Sequence, residues 1–330
     1  MFPKTLIAGP CAAESEEQVA EIAQALAPLH PIFRAGIWKP RTHPDTFQGA
    51  GERALVWLQK VQCEYHLPVA TEAATPQQVQ ISAQAGIDYL WIGARTAANP
   101  IAVQALADTA KQCVRDGFRL QGLLIKNPVH DDAALWAGNI RRLQATGLPV
   151  IAVHRGCNHH PCWQTAYEIR CRMPDIPLLM DPSHMSGDAG KVTELCNTAE
   201  ELDYDGLMVE VHSHPKQALS DARQQITPQQ LYALLDSPAA PLTDERELRW
   251  LRKMIDEADD ELWQAVAARM AVSRRIGDYK RKQQMPVLQP DRFNQILQKR
   301  LQWAEAHGLS PDAVQTIMEQ IHKESVRVQL

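Results

Sequence analysis

The sequence predicts an α/β protein: a parallel (β/α)8 TIM barrel followed by a small all-α domain of three helices that dimerises. Three observations lead to this prediction. The chain has 330 residues, about 80 more than a barrel of about 250 residues needs. Short apolar runs alternate with amphipathic stretches through the first two thirds of the chain. A Pro/Ala-rich break, Ser237-Pro238-Ala239-Ala240-Pro241, then precedes a region of purely helical periodicity.

The apolar runs of the first region are short enough to be buried strands, and a stretch of helical composition follows each of them. Eight such units in about 235 residues are typical of a closed parallel barrel. A doubly wound open sheet fits the same periodicity, but no Gly-rich dinucleotide fingerprint follows an early strand. The predicted strands are 6–11, 32–38, 68–72, 89–95, 120–126, 149–154, 177–181 and 206–212.

The second region predicts one very long helix and two shorter ones. Thr243 or Asp244 can cap a helix that runs to about Lys282 with an apolar stripe on one side. The stripe consists of Leu248, Leu251, Ile255, Leu262, Val266 and Met270. A helix of about 40 residues is about 60 Å long and cannot cover its own stripe. The boundaries of the two shorter helices are marked by Pro290, Gly308 and Ser310-Pro311. We therefore expect a barrel domain (1–236), a linker (237–242), a helical domain (243–330) and a homodimer formed through the helices.

Composition and charge exclude several classes of protein. The net charge of −5 argues against a nucleic-acid partner, which a strongly basic face would indicate. The chain has no apolar run of about 18 residues to span a membrane, and its start lacks the features of a signal peptide. Seven cysteines are an odd count in a long chain, which favours reduced thiols. We expect a cytoplasmic protein with no membrane partner.

Functional groups of a parallel barrel gather at the carboxyl ends of its strands, and two chemical sets fall there. Desolvated cations cost several kcal/mol each unless they are matched, so a ring of them predicts a ligand with phosphates and carboxylates. These cations are Arg34, Lys39, Arg41, Arg95, Lys126 and Arg155. A thiol, an imidazole and two carboxylates suit one divalent metal of the Mn, Fe, Co or Zn class, acting as a Lewis acid on a carbonyl. These ligands are Cys11, His184, Glu210 and Asp221.

Simpler interpretations exist for single members of these sets. A lone cysteine such as Cys11 is more often a small buried hydrophobe, and a lone His184 is more often a satisfied polar residue. The loop 156–162, Gly-Cys-Asn-His-His-Pro-Cys, has the composition of a metal cluster, but its spacing matches no standard zinc pattern. The common placement at strand ends favours the two sets over scattered surface residues.

Six motifs carry a resemblance that covers residues 1–236: Ala8-Gly9-Pro10-Cys11, Lys39-Pro40-Arg41-Thr42, Phe47-Gln48-Gly49, Ile92-Gly93-Ala94-Arg95, Asp181-Pro182-Ser183-His184 and Gly206-Leu207-Met208-Val209-Glu210-Val211-His212. This region resembles the type I-beta 3-deoxy-D-arabino-heptulosonate-7-phosphate (DAHP) synthases. The resemblance implies a condensation of phosphoenolpyruvate with erythrose 4-phosphate at the entry to the shikimate pathway.

The resemblance also implies roles for the two chemical sets. Cys11, His184, Glu210 and Asp221 match the metal ligands of the family. Phosphoenolpyruvate would be bound by Arg95, Lys126 and Arg155, assisted by Arg34 and Lys39, and Lys39 is also a candidate proton donor. Erythrose 4-phosphate would be bound by Lys39, Pro40, Arg41 and Thr42. A sister enzyme that uses arabinose 5-phosphate has an Asn-containing loop in place of these four residues, so the motif favours the four-carbon aldose.

The helical region is similar to the all-helical chorismate mutases, which convert chorismate to prephenate. The matching positions are Arg252, Arg269, Lys280, Arg292, Ser325 and Gln329, and Gln289 is a further candidate substrate residue. The rearrangement is pericyclic and needs no cofactor; holding the dicarboxylate and hydrogen-bonding its ether oxygen would suffice. The resemblance gives that last task to Lys280 and Gln329, and it places Arg252 in the site of the partner subunit.

Alternatives remain for both regions. Gln289 and Phe293 stand where well-known mutases carry acidic residues near the substrate hydroxyl, so that contact and the catalytic efficiency stay open. A charge-rich helix face is usually just solvated, and the helical domain could serve only for dimerisation or effector binding. The barrel could bind a phosphosugar without catalysis. Similar fusions imply that prephenate inhibits the synthase, with control residing in the helical domain.

Overall fold

A computed structural model describes residues 3–39, 45–236 and 245–330. The chain divides into two compact units, of which the first ends at Met254 and the second is Ile255–Leu330. The predicted linker and the predicted cap at Thr243 or Asp244 lie outside the described residues. The predicted domain boundaries therefore stay predictions.

The first unit is a closed barrel of eight parallel strands in sequence order, with β1 paired to β8. The predicted barrel is confirmed, and the open sheet is excluded. The strands are β1 (Thr5–Gly9), β2 (Ile32–Arg34), β3 (Val69–Glu72), β4 (Tyr89–Ile92), β5 (Gly122–Lys126), β6 (Val150–His154), β7 (Leu178–Met180) and β8 (Gly206–Glu210).

At least one helix follows each strand of the barrel. These helices are α1 (Glu16–Leu26), α2 (Leu55–Tyr65), α3 (Pro76–Gln84), α4 (Ala94–Ala97), α5 (Pro100–Arg115), α6 (Ala133–Gln144), α7 (Trp163–Arg172), α8 (Pro182–Ser186), α9 (Val192–Glu201) and α10 (Pro228–Leu235). Polar caps start several of them: the Ser15 and Thr75 side chains accept from the backbone N–H three residues on, and Thr227 with Gln230 forms a full capping box.

Buried apolar side chains from seven of the strands form an inner layer, and a larger core lies between strands and helices. The inner layer consists of Ile7, Ala70, Trp91, Leu124, Val153, Leu179 and Met208. Several strands end earlier than predicted: the run 6–11 leaves the sheet after Gly9, and the run 32–38 leaves it after Arg34. The residues that leave the sheet are the ones that form the mouth of the barrel.

The helical region contains the three predicted helices: α11 (Arg246–Lys282), α12 (Pro290–Ala306) and α13 (Pro311–Arg327). The first turns of α11, through Met254, belong to the first unit. There Trp250 is only 3% exposed and packs against the rings of Trp163, Tyr167 and Tyr204, with centroid distances of 6.2, 6.2 and 5.6 Å. The start of the long helix is thus part of the barrel core.

A membrane-spanning helix must be both long and apolar. None of the described helices meets both conditions.

Candidate active site

The carboxyl ends of the strands surround a cavity of 410 Å³. Four predicted cations and two predicted metal ligands line it: Lys39, Arg95, Lys126, Arg155, His184 and Asp221. Cys11 and Glu210 are buried and contact these lining residues, and the buried Arg34 forms an ion pair with Glu210. The structure therefore brings both predicted sets together at one mouth, except for Pro40, Arg41 and Thr42, which lie outside the described residues.

The close approach of β1 to β2 places Cys11 beside Lys39 and Arg34. A Cβ at Gly9, whose φ is +148°, would lie 2.2 Å from the carbonyl oxygen of Arg34, so only glycine fits. Lys39 Nζ donates to the Cys11 carbonyl at 3.0 Å and lies 3.1 Å from its Sγ. The Gly-Pro-Cys motif therefore serves to bring the thiol to the β2 side of the mouth.

Cys11, Glu210 and Asp221 form a group whose ligand atoms all lie within 4.8 Å of one another. Cys11 Sγ donates to Asp221 Oδ2 at 3.0 Å, and His184 Nε2 lies 3.6 Å from Glu210 Oε1. Glu210 Oε1 is buried and makes no hydrogen bond, although Arg34 Nη2 is 3.0 Å away. A thiol, an imidazole and an unsatisfied carboxylate oxygen are a donor set that fits a divalent metal of borderline softness.

The Asp-Pro-Ser-His motif orients this group. Asp181 caps α8: its Oδ1 accepts from the His184 backbone N–H at 3.0 Å and lies 3.1 Å from His184 Nδ1. This contact turns Nε2 towards Glu210, the arrangement in which carboxylates orient metal-binding histidines. Lys126 Nζ in turn donates to Asp181 Oδ2 at 2.7 Å. Ser183 Oγ accepts from the backbone N–H of Glu210 at 3.0 Å.

The buried charges of the mouth shift one another's pKa values. Burial, followed by the nearby Glu210 carboxylate, raises the pKa of the Cys11 thiol. Burial opposes ionisation of Glu210, but His184 and Arg34 outweigh it and lower the pKa of that carboxyl. Burial also opposes ionisation of Asp181, yet His184 and Lys126 hold its pKa well below the usual range. Both carboxylates therefore stay ionised at neutral pH.

Arg34 has the features of an anion-binding residue. Its side chain is 1% exposed, and its Nε and Nη1 atoms are buried without a hydrogen-bond partner. The guanidinium lies 4.8 Å from the ring centroid of Trp91, which lines the cavity. Buried donors without protein acceptors are the groups that a ligand carboxylate or phosphate satisfies.

Sequence reasoning missed several residues of this mouth. Glu72 lines the cavity and occupies the space where a Cβ of Gly93 would be, 2.1 Å from that position. Its place at the end of β3 could have revealed it. Gln224 donates to Glu210 Oε2 at 2.7 Å and Gln225 accepts from the Cys11 N–H at 3.0 Å; no sequence pattern indicated either contact.

In the second unit, polar residues are buried where α11 meets α13. Arg269 Nη1 donates to the hydroxyl of Ser325, and Gln329 Nε2 donates to the Ser325 carbonyl at 3.0 Å. Lys280 is buried and donates to the Val287 carbonyl at 2.6 Å. A Cβ at Gly277 would lie 2.8 Å from Gln329 Cα, so this glycine lets the two helices touch. Arg269, Ser325 and Gln329, three of the predicted mutase residues, therefore lie on these facing surfaces, and Lys280 is buried near Val287.

The other predicted mutase residues lie elsewhere. Arg252 belongs to the first unit and has its Nη1 4.0 Å from Glu245 Oε2. Gln289 is the N-cap of α12, and Arg292 is exposed in its first turn. Phe293, on the same turn, stacks on the ring of His322 with a centroid distance of 4.1 Å.

Known proteins resemble both regions. Residues 3–238 match the DAHP synthetase I family, and residues 251–330 match chorismate mutase type II. A phospho-2-dehydro-3-deoxyheptonate aldolase of Thermotoga maritima is 30% identical over 231 residues, which are 67% of this chain and 65% of the relative. A 4-amino-4-deoxychorismate mutase of Streptomyces pristinaespiralis is 37% identical over 79 residues, which are 24% of this chain and 61% of the relative.

A further relative and a solved structure match most of this chain. A 2-dehydro-3-deoxyphosphooctonate aldolase of Wolinella succinogenes is 28% identical and covers 70% of this chain and 96% of the relative. A crystal structure of the DAHP synthase of T. maritima superposes with a TM-score of 0.62 at 29% identity, covering 70% of this chain and 67% of that chain. The present chain spans 65% of the length of the T. maritima relative. It belongs to the DAHP synthetase I family, with a chorismate mutase type II domain at residues 251–330.

Proposed function

We propose that this chain is a bifunctional enzyme of the shikimate pathway. The barrel condenses phosphoenolpyruvate with erythrose 4-phosphate to DAHP and phosphate, and the helical domain rearranges chorismate to prephenate. The observation that carries the proposal is the meeting of the donor group Cys11, Glu210 and Asp221 with the cations of one cavity. Such a mouth suits a reaction between two phosphorylated substrates.

A single divalent metal of the Mn, Fe, Co or Zn class would be held by Cys11, His184, Glu210 and Asp221. The ion would polarise the aldehyde of erythrose 4-phosphate as a Lewis acid. Support comes from the donor types and from the buried Glu210 oxygen that makes no hydrogen bond. Asp181 keeps His184 oriented, and Lys126 neutralises Asp181 from the other side.

Cations neutralise the two substrates, which would otherwise repel each other. Phosphoenolpyruvate is bound by Arg34, Lys39, Arg95, Lys126 and Arg155. The erythrose 4-phosphate phosphate is bound by Lys39, Pro40, Arg41 and Thr42. The enol carbon attacks the aldehyde carbon, water adds at C2, and phosphate leaves.

Lys39 is the proton donor we propose for the aldehyde oxygen. Its Nζ lies 3.1 Å from Cys11 Sγ, beside the donors of the proposed metal. Burial disfavours its charge, but Cys11, Glu72 and Glu210 outweigh burial and raise the pKa of Lys39. The ammonium is therefore protonated at neutral pH and can donate as the alkoxide forms.

In the helical domain, Lys280 and Gln329 hydrogen-bond the ether oxygen of chorismate, while Arg269 and Arg292 hold its carboxylates. Ser325 positions Arg269, Gln289 faces the substrate hydroxyl, and Arg252 comes from the partner subunit of a homodimer. Prephenate bound here inhibits the synthase. We place the enzyme in the cytoplasm, in keeping with its seven cysteines, none of which forms a disulfide within the described residues.

The amino analogue of chorismate is a second candidate substrate for the helical domain. The S. pristinaespiralis relative is named for 4-amino-4-deoxychorismate. Gln289 is an uncharged residue at the proposed hydroxyl contact, and Phe293 beside it is apolar. Comparing kcat/KM for the two substrates decides between them, and a higher value for the amino compound would replace chorismate in our proposal.

The proposal is tested by assaying both reactions on the full chain and on two single variants. Cys11→Ala should lower condensation by about 100-fold or more, with mutase activity retained. Gln329→Ala should lower mutase activity by about 100-fold, with condensation retained. Each variant is the control for the other. Arabinose 5-phosphate replaces erythrose 4-phosphate in one arm, and prephenate is added in another.

Each arm of this experiment has an outcome against the proposal. Condensation that persists in Cys11→Ala, and in the wild type after a chelator has removed metal ions, would exclude the metal site. Equal chorismate loss in Gln329→Ala and wild type would leave the helical domain as a dimerisation or effector-binding module. A preference for arabinose 5-phosphate would change the aldose, and a synthase rate unaffected by prephenate would remove the feedback.

A further inference from the structure

The loop after β6 forms a tight hairpin whose tip lies at the mouth of the barrel. The backbone N–H of Cys157 donates to the His160 carbonyl, and the N–H of His160 donates to the Cys157 carbonyl, both at 2.8 Å. The two residues between them, Asn158 and His159, have φ values of 50° and 64°. Two left-handed residues in a two-residue turn form a type I′ hairpin, a rigid support for its tip.

The ring of His159 packs against a glycine of the neighbouring loop. Gly187 ends α8, the short helix that carries His184. A Cβ at Gly187 would lie 2.5 Å from Nδ1 of His159 and 2.7 Å from its Cε1. A larger residue at position 187 would require the imidazole to shift from this position. The Nδ1 edge thus packs against Gly187, while Nε2 is on the other side of the ring.

Asn158 and His159 line the same cavity as Arg95, Lys126 and Arg155. The binding proposed above for the two substrates assigns no role to Asn158 or His159. An imidazole, whether neutral or protonated, can donate a hydrogen bond from Nε2. Among these cations, an additional donor suits an anion with several oxygens better than it suits a single carbonyl.

We propose that His159 is a further substrate-binding residue, whose Nε2–H hydrogen-bonds the phosphate of phosphoenolpyruvate. This inference rests on the proposed function of the barrel. The position of the hairpin favours the phosphate of phosphoenolpyruvate over that of erythrose 4-phosphate. The hairpin follows β6 directly after Arg155, a residue proposed for phosphoenolpyruvate, whereas the residues proposed for the aldose phosphate follow β2.

The test compares two histidines of one hairpin. His159→Ala should raise the KM for phosphoenolpyruvate about tenfold, because a hydrogen bond to a charged group is lost, and kcat should fall by much less. His159→Gln keeps an N–H donor and should lie between Ala and wild type. His160→Ala is the matched control, since His160 is exposed in the same hairpin and does not line the cavity.

Three results would overturn the inference while leaving the proposed function intact: an unchanged KM in His159→Ala, an equal rise in His160→Ala, or a rise in the KM for erythrose 4-phosphate instead. A wild type without condensation activity would overturn the proposed function. Calorimetric titration with phosphoenolpyruvate and Mn²⁺ then tests His159 separately. Weaker binding by His159→Ala than by His160→Ala supports the contact, and equal binding overturns it.

Discussion

The barrel and the helical unit bury their apolar side chains to very different extents. In the first unit, strands and helices enclose two continuous apolar cores. In residues 255–330, the buried apolar side chains of the described part are Met270 and Ala304. On α11, Ile255 is 62% exposed and Leu262 50% exposed. Isolated exposed hydrophobes are ordinary, but a stripe of them along one helix indicates a surface that a partner covers.

The two units therefore differ in what makes each of them stable. A closed barrel pairs every strand with two neighbours and covers its outer face with its own helices, so its fold is complete within one chain. Three helices with a largely exposed apolar stripe gain most of their stability from packing against other surfaces. A second copy of α11 would supply such a surface, which is the physical basis of the homodimer we propose.

The largest effect is expected from a charge placed on the exposed stripe. Leu262→Asp would bury a carboxylate in the proposed dimer interface, so the mass in solution should fall from twice 36.9 kDa to that of one chain. Light scattering after gel filtration measures it. Ile101→Asp, at a barrel residue that is 80% exposed, should leave the mass unchanged. A wild type that is already monomeric contradicts the prediction.

The next effect concerns the place where α11 begins. Trp250→Ala removes a ring packed among Trp163, Tyr167 and Tyr204, so the free energy of unfolding of the barrel should fall by about 3–5 kcal/mol. Urea denaturation followed by circular dichroism measures the change. Trp303→Ala, at a half-exposed tryptophan of α12, is the control. Equal losses in both variants would mean that Trp250 is not part of the barrel core.

Trp250 also shows how far sequence periodicity reaches. The pattern predicted the long helix and its end at Lys282, but its stripe contained Leu248 and Leu251 and not Trp250. Period 3.6 identifies an apolar face; it does not say which neighbour that face meets. Trp250 is buried by aromatic rings of α7 and of the segment before β8, and such tertiary contacts leave no local pattern.

In the candidate site, too, the sequence predicted some features, while others depend on tertiary structure. Strand-end position placed Cys11, His184, Glu210 and Lys126 at one mouth because parallel strands end on one side of a barrel. The hairpin 157–160 was different. Its composition suggested a metal cluster, but the metal-binding groups found among the described residues include none of its side chains. Its positive φ values and the fit of His159 against Gly187 depend on backbone geometry that composition does not encode.

The smallest effect is a pH dependence of barrel stability that arises from His154 at the end of β6. Burial lowers the pKa of His154 from 6.5 to about 3, while its Nδ1 is 2.8 Å from the hydroxyl of Tyr204. Below pH 6.5, His154 therefore binds a proton in the unfolded chain but not in the folded barrel. The contribution of His154 to the free energy of unfolding is fully present above pH 6.5. It is lost as the pH falls towards 3, by at most about 1.4 kcal/mol per pH unit.

His154→Asn isolates this contribution, because asparagine can keep the contact to Tyr204 without titrating. Between pH 6 and pH 5 the wild type should lose about 1 kcal/mol more stability than the variant, measured by urea denaturation at each pH. The exposed His130→Asn should behave as the wild type does. Asp181, whose lowered pKa also favours the folded state at higher pH, contributes equally to all three proteins and cancels. Parallel pH curves for wild type and His154→Asn would show that the buried imidazole is not the source of the slope.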